Sequence, residues 1–143
     1  MTTVGILEVR KGNQSVLIYG RHDGYPDKWP LIAITWLFVN GYRDVDDAAD
    51  AALGLLLEWD GRLHKKINDP IDPSEDFYIL IDPPRVWTYW YTVDLGNNKM
   101  TVKYPVYCIE VEPHHYKCRD DPVIITEFEG DLKEYMFKYV TLL

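Results

Sequence analysis

The chain has 143 residues, 47% hydrophobic and 27% charged, and its 15 Lys and Arg against 23 Asp and Glu leave a formal net charge of −8. That length suits one domain (1–143) that buries most of its apolar surface unaided, and the hydrophobic fraction excludes a disordered chain. Two cysteines exclude a disulfide scaffold, and the acidic balance makes direct nucleic-acid binding through phosphates a poor expectation.

The opening MTTVGILEVRKG lacks the basic start, long apolar stretch and cleavage site of a secretory signal. The default expectation is a cytoplasmic protein with both cysteines reduced. Residues 3 to 22 read as a β-hairpin: a run from Val4 to Val9, a turn at Lys11-Gly12-Asn13-Gln14, and a second run, Val16 to Tyr19. The segment from Arg21 to Pro30, with two prolines, a glycine and two aspartates, reads as a loop. Pro30 suits the first turn of a helix, and Leu31 to Val39 is apolar around its whole circumference, the pattern of a buried helix ended by Asn40-Gly41. The run is too short to span a membrane. A second helix is predicted from about 45 to 59, capped by Asp44 or Asp46, with Ala48, Ala52, Leu55, Leu56 and Trp59 on one face. Gly61 either ends it or lets it run towards Lys66.

A loop at 68–74 separates this half from a β-rich half. Phe77 to Ile81 reads as one strand, Val86 to Leu95 as a second, and Met100 to Val111 as a third, with Val123 to Ile125 adding a short one. Pro105 places the third strand at an edge or a bulge. Leu132, Tyr135, Met136, Tyr139, Val140 and Leu143 recur at helical spacing behind Asp131 and predict a closing helix. The expected architecture is α+β: a mainly antiparallel sheet, made of an N-terminal hairpin and a C-terminal meander, packed against two or three helices.

Three constellations could carry function. His22, Asp23 and Asp27 lie where a strand hands over to a helix, and a His–Asp set can move protons or hold a metal. The plainer explanation is an Asp23-Gly24 turn, with Asp27 capping the helix. Cys108, His114, His115 and Cys118 offer zinc-type ligands at a spacing that matches no common finger, and a Cys108–Cys118 disulfide or a buried cysteine explains them as well. In Trp87-Thr88-Tyr89-Trp90-Tyr91, strand alternation puts Trp87, Tyr89 and Tyr91 on one face and Trp90 on the other. Together with Tyr25 and Trp29 they are candidate binding aromatics, and a covered sheet is the plainer reading. The common nucleotide-binding and hydrolase signatures are missing, and no cofactor is implied.

Thr2-Thr3-Val4-Gly5-Ile6-Leu7, Ile18-Tyr19 and Asp23-Gly24-Tyr25-Pro26 resemble the opening of a group of small phage- and prophage-encoded proteins of unknown function. Those proteins have a Thr-Thr-Ile-Gly-type strand and a His-Trp-Asp-Gly-Tyr-Pro motif. Here Arg21 and His22 stand where the group has His and Trp, which favours a structural or recognition role for the turn. The resemblance implies a viral or mobile-element origin and carries no activity. The expected function is that of a non-enzymatic accessory protein in the host cytoplasm. Its expected partner is a host or viral protein, such as a basic nucleic-acid-binding or defence protein that an acidic surface would steer. The alternative is a small, metal-dependent hydrolase centred on His22, Asp23 and Asp27.

Overall fold

The computed structural model describes residues 3–64 and 76–140, those at 59–64 and 140 through their backbone alone. The loop expected at 68–74 and the last residues of the closing helix lie outside the described residues. The elements run β1 (Gly5–Lys11), β2 (Gln14–Gly20), α1 (Trp29–Asn40), α2 (Val45–His64), β3 (Phe77–Leu80), β4 (Tyr89–Asp94), β5 (Lys99–Glu112), β6 (His115–Gly130) and α3 (Leu132–Val140).

The strands form one sheet in the order β3-β2-β1-β4-β5-β6, and the class is α+β as expected. The N-terminal hairpin and the β4–β5–β6 meander are each antiparallel. They meet in a parallel ladder, β1 beside β4, registered from Gly5↔Tyr89 to Arg10↔Asp94. Strand alternation sends Leu7, Val9, Ile18, Tyr91, Val93, Met100 and Val102 to one face, where all are buried. Glu8, Arg10, Trp90 and Thr92 point to the other. The buried face is roofed by α2 over β1, β2 and β3, and by α3 beside β6, with α1 lying against both helices. Among the described residues no helix is long and apolar enough to cross a membrane.

The helix ends follow the expected chemistry. Gly41, in the left-handed region at φ 61°, closes α1 by donating its N–H to the Leu37 carbonyl. The Asp44 carboxylate accepts from the Asp46 N–H and caps α2, which continues through Gly61. Asp131 and Glu134 exchange side-chain and backbone hydrogen bonds across the first turn of α3. Asp27, by contrast, does not cap α1: Lys28 holds that position with no side-chain bond.

Two expectations are corrected. Although α1 is apolar all round, it buries only Ala33, Ile34 and Leu37 with its first two residues, and Ile32, Trp36 and Val39 face outward. Among the described residues no helix or strand covers that side of α1. The last strand is no short addition either. β5 and β6 run on together for 14 and 16 residues and leave the sheet as a two-stranded ribbon, exposed on both faces from Cys108 to Asp121. Pro105 lies beyond Lys103, the last β5 residue paired with β4, so its missing N–H deprives that ladder of nothing.

Within the ribbon the register slips between Val106↔Val123 and Cys108↔Cys118, leaving Arg119 to Pro122 on β6 opposite Tyr107 alone. The cysteines expected to be reduced are joined just beyond that slip. They sit directly opposite each other with Cα atoms 4.0 Å apart, so the bond holds the strands together where backbone pairing is interrupted. Reduction should therefore raise amide exchange across residues 108–118 and leave β1 and β4 unchanged. Exchange that rises evenly through the sheet would contradict this.

Candidate functional site

After β2 the chain enters the loop through Arg21, whose N–H donates to the Asp76 carbonyl at 2.9 Å. His22 is exposed, with Nε2 3.6 Å from Oδ1 of Asp76, the one charged residue buried among those described. Asp23 is exposed in the left-handed region at φ 54°, which an aspartate tolerates better than most side chains. Gly24 then passes so close to β1 that a Cβ on it would lie 2.5 Å from the Gly5 nitrogen. Its N–H donates to the Thr3 carbonyl at 2.9 Å.

The next contacts decide what this loop is for. The Gly24 carbonyl accepts the buried Tyr91 hydroxyl at 2.6 Å, and the Pro26 carbonyl accepts the buried Tyr135 hydroxyl. Trp29 follows, fully buried and edge-on to Phe77 with centroids 5.4 Å apart. Its indole lies against Gly20, where any side chain would collide with it, and its N–H has no partner among the described residues. Asp-Gly-Tyr-Pro is thus a brace between the sheet and the last helix.

His22, Asp23 and Asp27 do not converge on one point. His22 is turned to Asp76, whereas the Asp27 charge acts on Tyr89 and Tyr135. The second expected cluster is likewise divided. Cys108 and Cys118 hold each other, and His114 occupies the ribbon turn at φ 65°, its N–H on the Glu110 carboxylate, with His115 opening β6. Among the described residues no three His, Cys, Asp or Glu side chains are grouped to hold a metal.

The aromatic segment divides differently from strict alternation. β4 begins only at Tyr89, so Trp87 is free of the strand geometry and packs edge-on against Trp90, centroids 5.3 Å apart. Trp90 donates to Glu8 at 3.1 Å on the open face. Of the candidate binding aromatics, Trp29 and Tyr91 are fully buried and have no surface to offer.

Tyr89 leads instead into a cluster on the helix side. It stacks on Tyr91 at 6.1 Å and meets Tyr25 at 6.3 Å and Tyr104 at 6.5 Å. Deeper in, Tyr135 and Tyr139 lie 4.7 Å apart, both edge-on to Phe128. Glu127 joins them because β6 bulges there: Thr126 pairs with Lys103 and Phe128 with Val102, which leaves Glu127 as the extra residue. Its carboxylate accepts the Tyr139 hydroxyl. Burial, first, and the negative charges of Asp27 and Glu127, second, push Tyr135 well above the ordinary phenol value; burial likewise raises Tyr91 and Tyr89. Tyr104, Glu127 and Tyr135 were not foreseen as members of a site. The spacing of Tyr135 and Tyr139 showed only a helix face, and a one-residue bulge leaves no mark in a sequence.

The chain matches no protein family, no curated protein and no solved structure.

Three outcomes follow from the brace. Tyr135→Phe strands the Pro26 carbonyl and should lower stability by about 1–3 kcal/mol in urea unfolding. The raised phenols bind their protons more tightly in the folded than in the unfolded chain. Their contribution is therefore complete below pH 10.0, the unfolded value, and lost as the pH climbs past it. Urea midpoints on either side of that pH should fall more steeply for the parent chain than for Tyr91→Phe/Tyr135→Phe. At Asp23 the backbone asks for glycine, so Asp23→Gly should melt at or above the parent, and Asp23→Ala should fall about 1 kcal/mol below Asp23→Gly.

Proposed function

We propose that the chain is a non-enzymatic accessory protein of a virus or mobile element that binds a basic host or viral protein. The observation that carries this reading is the β5–β6 ribbon. It leaves the body of the sheet, exposes both faces, and contributes little to the core. Ile109, Val111 and Tyr116 are more than half exposed along it. Among the described residues no strand lies beside the ribbon edge of β5 beyond Lys103, which offers its backbone groups to another chain. A net charge of −8 supports a basic partner, since complementary charge speeds encounter. The resemblance of the first 30 residues to phage and prophage proteins supports the origin. A hydrolase at His22, Asp23 and Asp27 has less support, because its loop spends Gly24 and Pro26 on the fold and turns His22 and Asp27 to different neighbours.

Affinity capture from host extract with the tagged chain, beside Ile109→Asp/Tyr116→Asp, tests the reading. The expected result is one stoichiometric basic protein, released by added salt and weakened at least about tenfold by the variant at unchanged melting temperature. Equal capture by both chains, an acidic partner, or none would overturn it.

A further inference from the structure

At the root of the ribbon, three tyrosine rings stand in a row, with Tyr89 between Tyr25 and Tyr104. Tyr25 enters from the braced loop, Tyr89 from β4 and Tyr104 from β5. Neighbouring centroids lie 6.3 and 6.5 Å apart, with planes inclined at 58° and 63°. Tyr25 is 46% exposed, and Tyr89 and Tyr104 are half-buried, so the rings reach solvent. Asp27 from the loop and Glu127 from the β6 bulge are also half-buried, and both act on Tyr89. Tilted ring faces with carboxylates beside them attract a cation and repel a phosphate.

The same cluster already satisfies one cation. Lys138 of α3 reaches over Phe128 and Tyr139, 5.9 and 5.4 Å from their centroids, and donates to the Glu127 carbonyl at 2.9 Å. That lysine serves the deep end. Among the described residues no cation lies over Tyr25, Tyr89 or Tyr104 at the open end.

We propose that Tyr25, Tyr89 and Tyr104, with Asp27 and Glu127, form a receptor for one alkylammonium or guanidinium group, carried by a lysine or arginine of a basic polypeptide. This rests on the reading of the chain as a binder of a basic protein, and it places the partner's cation at the foot of the ribbon rather than along it. The rings supply their negative faces, and the carboxylates compensate the charge as water leaves. Two half-buried carboxylates whose charges both reach Tyr89 gain from a counter-charge beside it.

The test is a titration of the whole chain, followed by NMR of the tyrosine ring signals, with trilysine, triarginine, fully acetylated trilysine and tetramethylammonium as probes. Trilysine and triarginine should shift the Tyr25, Tyr89 and Tyr104 signals saturably, and acetylated trilysine should not. Asp27→Asn/Glu127→Gln, which keeps an acceptor for Tyr139, should weaken trilysine about tenfold or more, and Tyr25→Ala should do likewise while Tyr25→Phe stays within about twofold. Tetramethylammonium binding as tightly as trilysine would assign the cage to a free small cation and overturn the polypeptide ligand. Shifts elsewhere, or equal affinity for the acetylated probe or the Asp27→Asn/Glu127→Gln chain, would overturn the receptor itself. The two proposals fail separately. Capture of a basic protein undiminished by Asp27→Asn/Glu127→Gln removes the cage alone, and trilysine binding at the cage with no protein captured removes the ribbon reading alone.

Discussion

Two tyrosine hydroxyls cross the core to reach one surface loop, and the arrangement of everything around them depends on it. Tyr91 comes from the middle of the sheet and Tyr135 from the last helix, and their hydroxyls donate to the backbone carbonyls of Gly24 and Pro26. Such carbonyls, sealed under aromatic rings, must be paired or their desolvation counts against the fold. Pairing them with side chains far along the sequence fastens the first strand-to-helix connection to both later parts of the chain. Gly24 makes the approach possible by lying against Gly5 without a side chain.

Once fixed, the loop dictates its surroundings. Tyr25 is carried to Tyr89, Asp27 is held near Tyr135, and Trp29 is driven under β2 against Phe77. The residues that a sequence reader associates with proton chemistry are therefore dispersed by the very motif that gathers them. Meanwhile the aromatic surface that remains open is the part of the cluster that the brace leaves over. Its half-buried carboxylates come from two places, the loop and a bulge in β6, that no linear spacing connects.

Much of the architecture was legible because it is written in local periodicity. The hairpin, the start of α1 at Trp29-Pro30, the run of α2 from its aspartates and the spacing of Leu132, Tyr135 and Tyr139 all show in their own segments. The outward face of α1 was not, since uniform apolarity states preference and not which neighbours exist. The ribbon was missed because the stretch Arg119-Asp120-Asp121-Pro122 breaks the strand pattern and Pro113-His114 is its turn, whereas pairing resumes on both sides of the unpaired stretch, at Val106↔Val123 and Cys108↔Cys118. Trp87 was assigned to the wrong face because alternation holds only from Tyr89 onward. A Cys108–Cys118 bridge was one of several readings left open by the spacing, and only the register shows the two cysteines to be opposite. Of the candidate site, Tyr25, Asp27 and Tyr89 were in view, and Tyr104 and Glu127 come from pairing that the linear sequence conceals.

The parallel ladder between β1 and β4 has a consequence for how the chain reaches this structure. Each antiparallel unit closes on itself: β1 finds β2 across a tight turn, and β5 finds β6 in the same way. The seam that unites them pairs Gly5 with Tyr89, residues 84 positions apart. Closing so long a loop demands its entropy before any of the seam's contacts repay it, and contacts of high sequence separation slow folding. The two halves of the sheet can therefore zip within themselves early, and the rate of folding is set by the encounter between them.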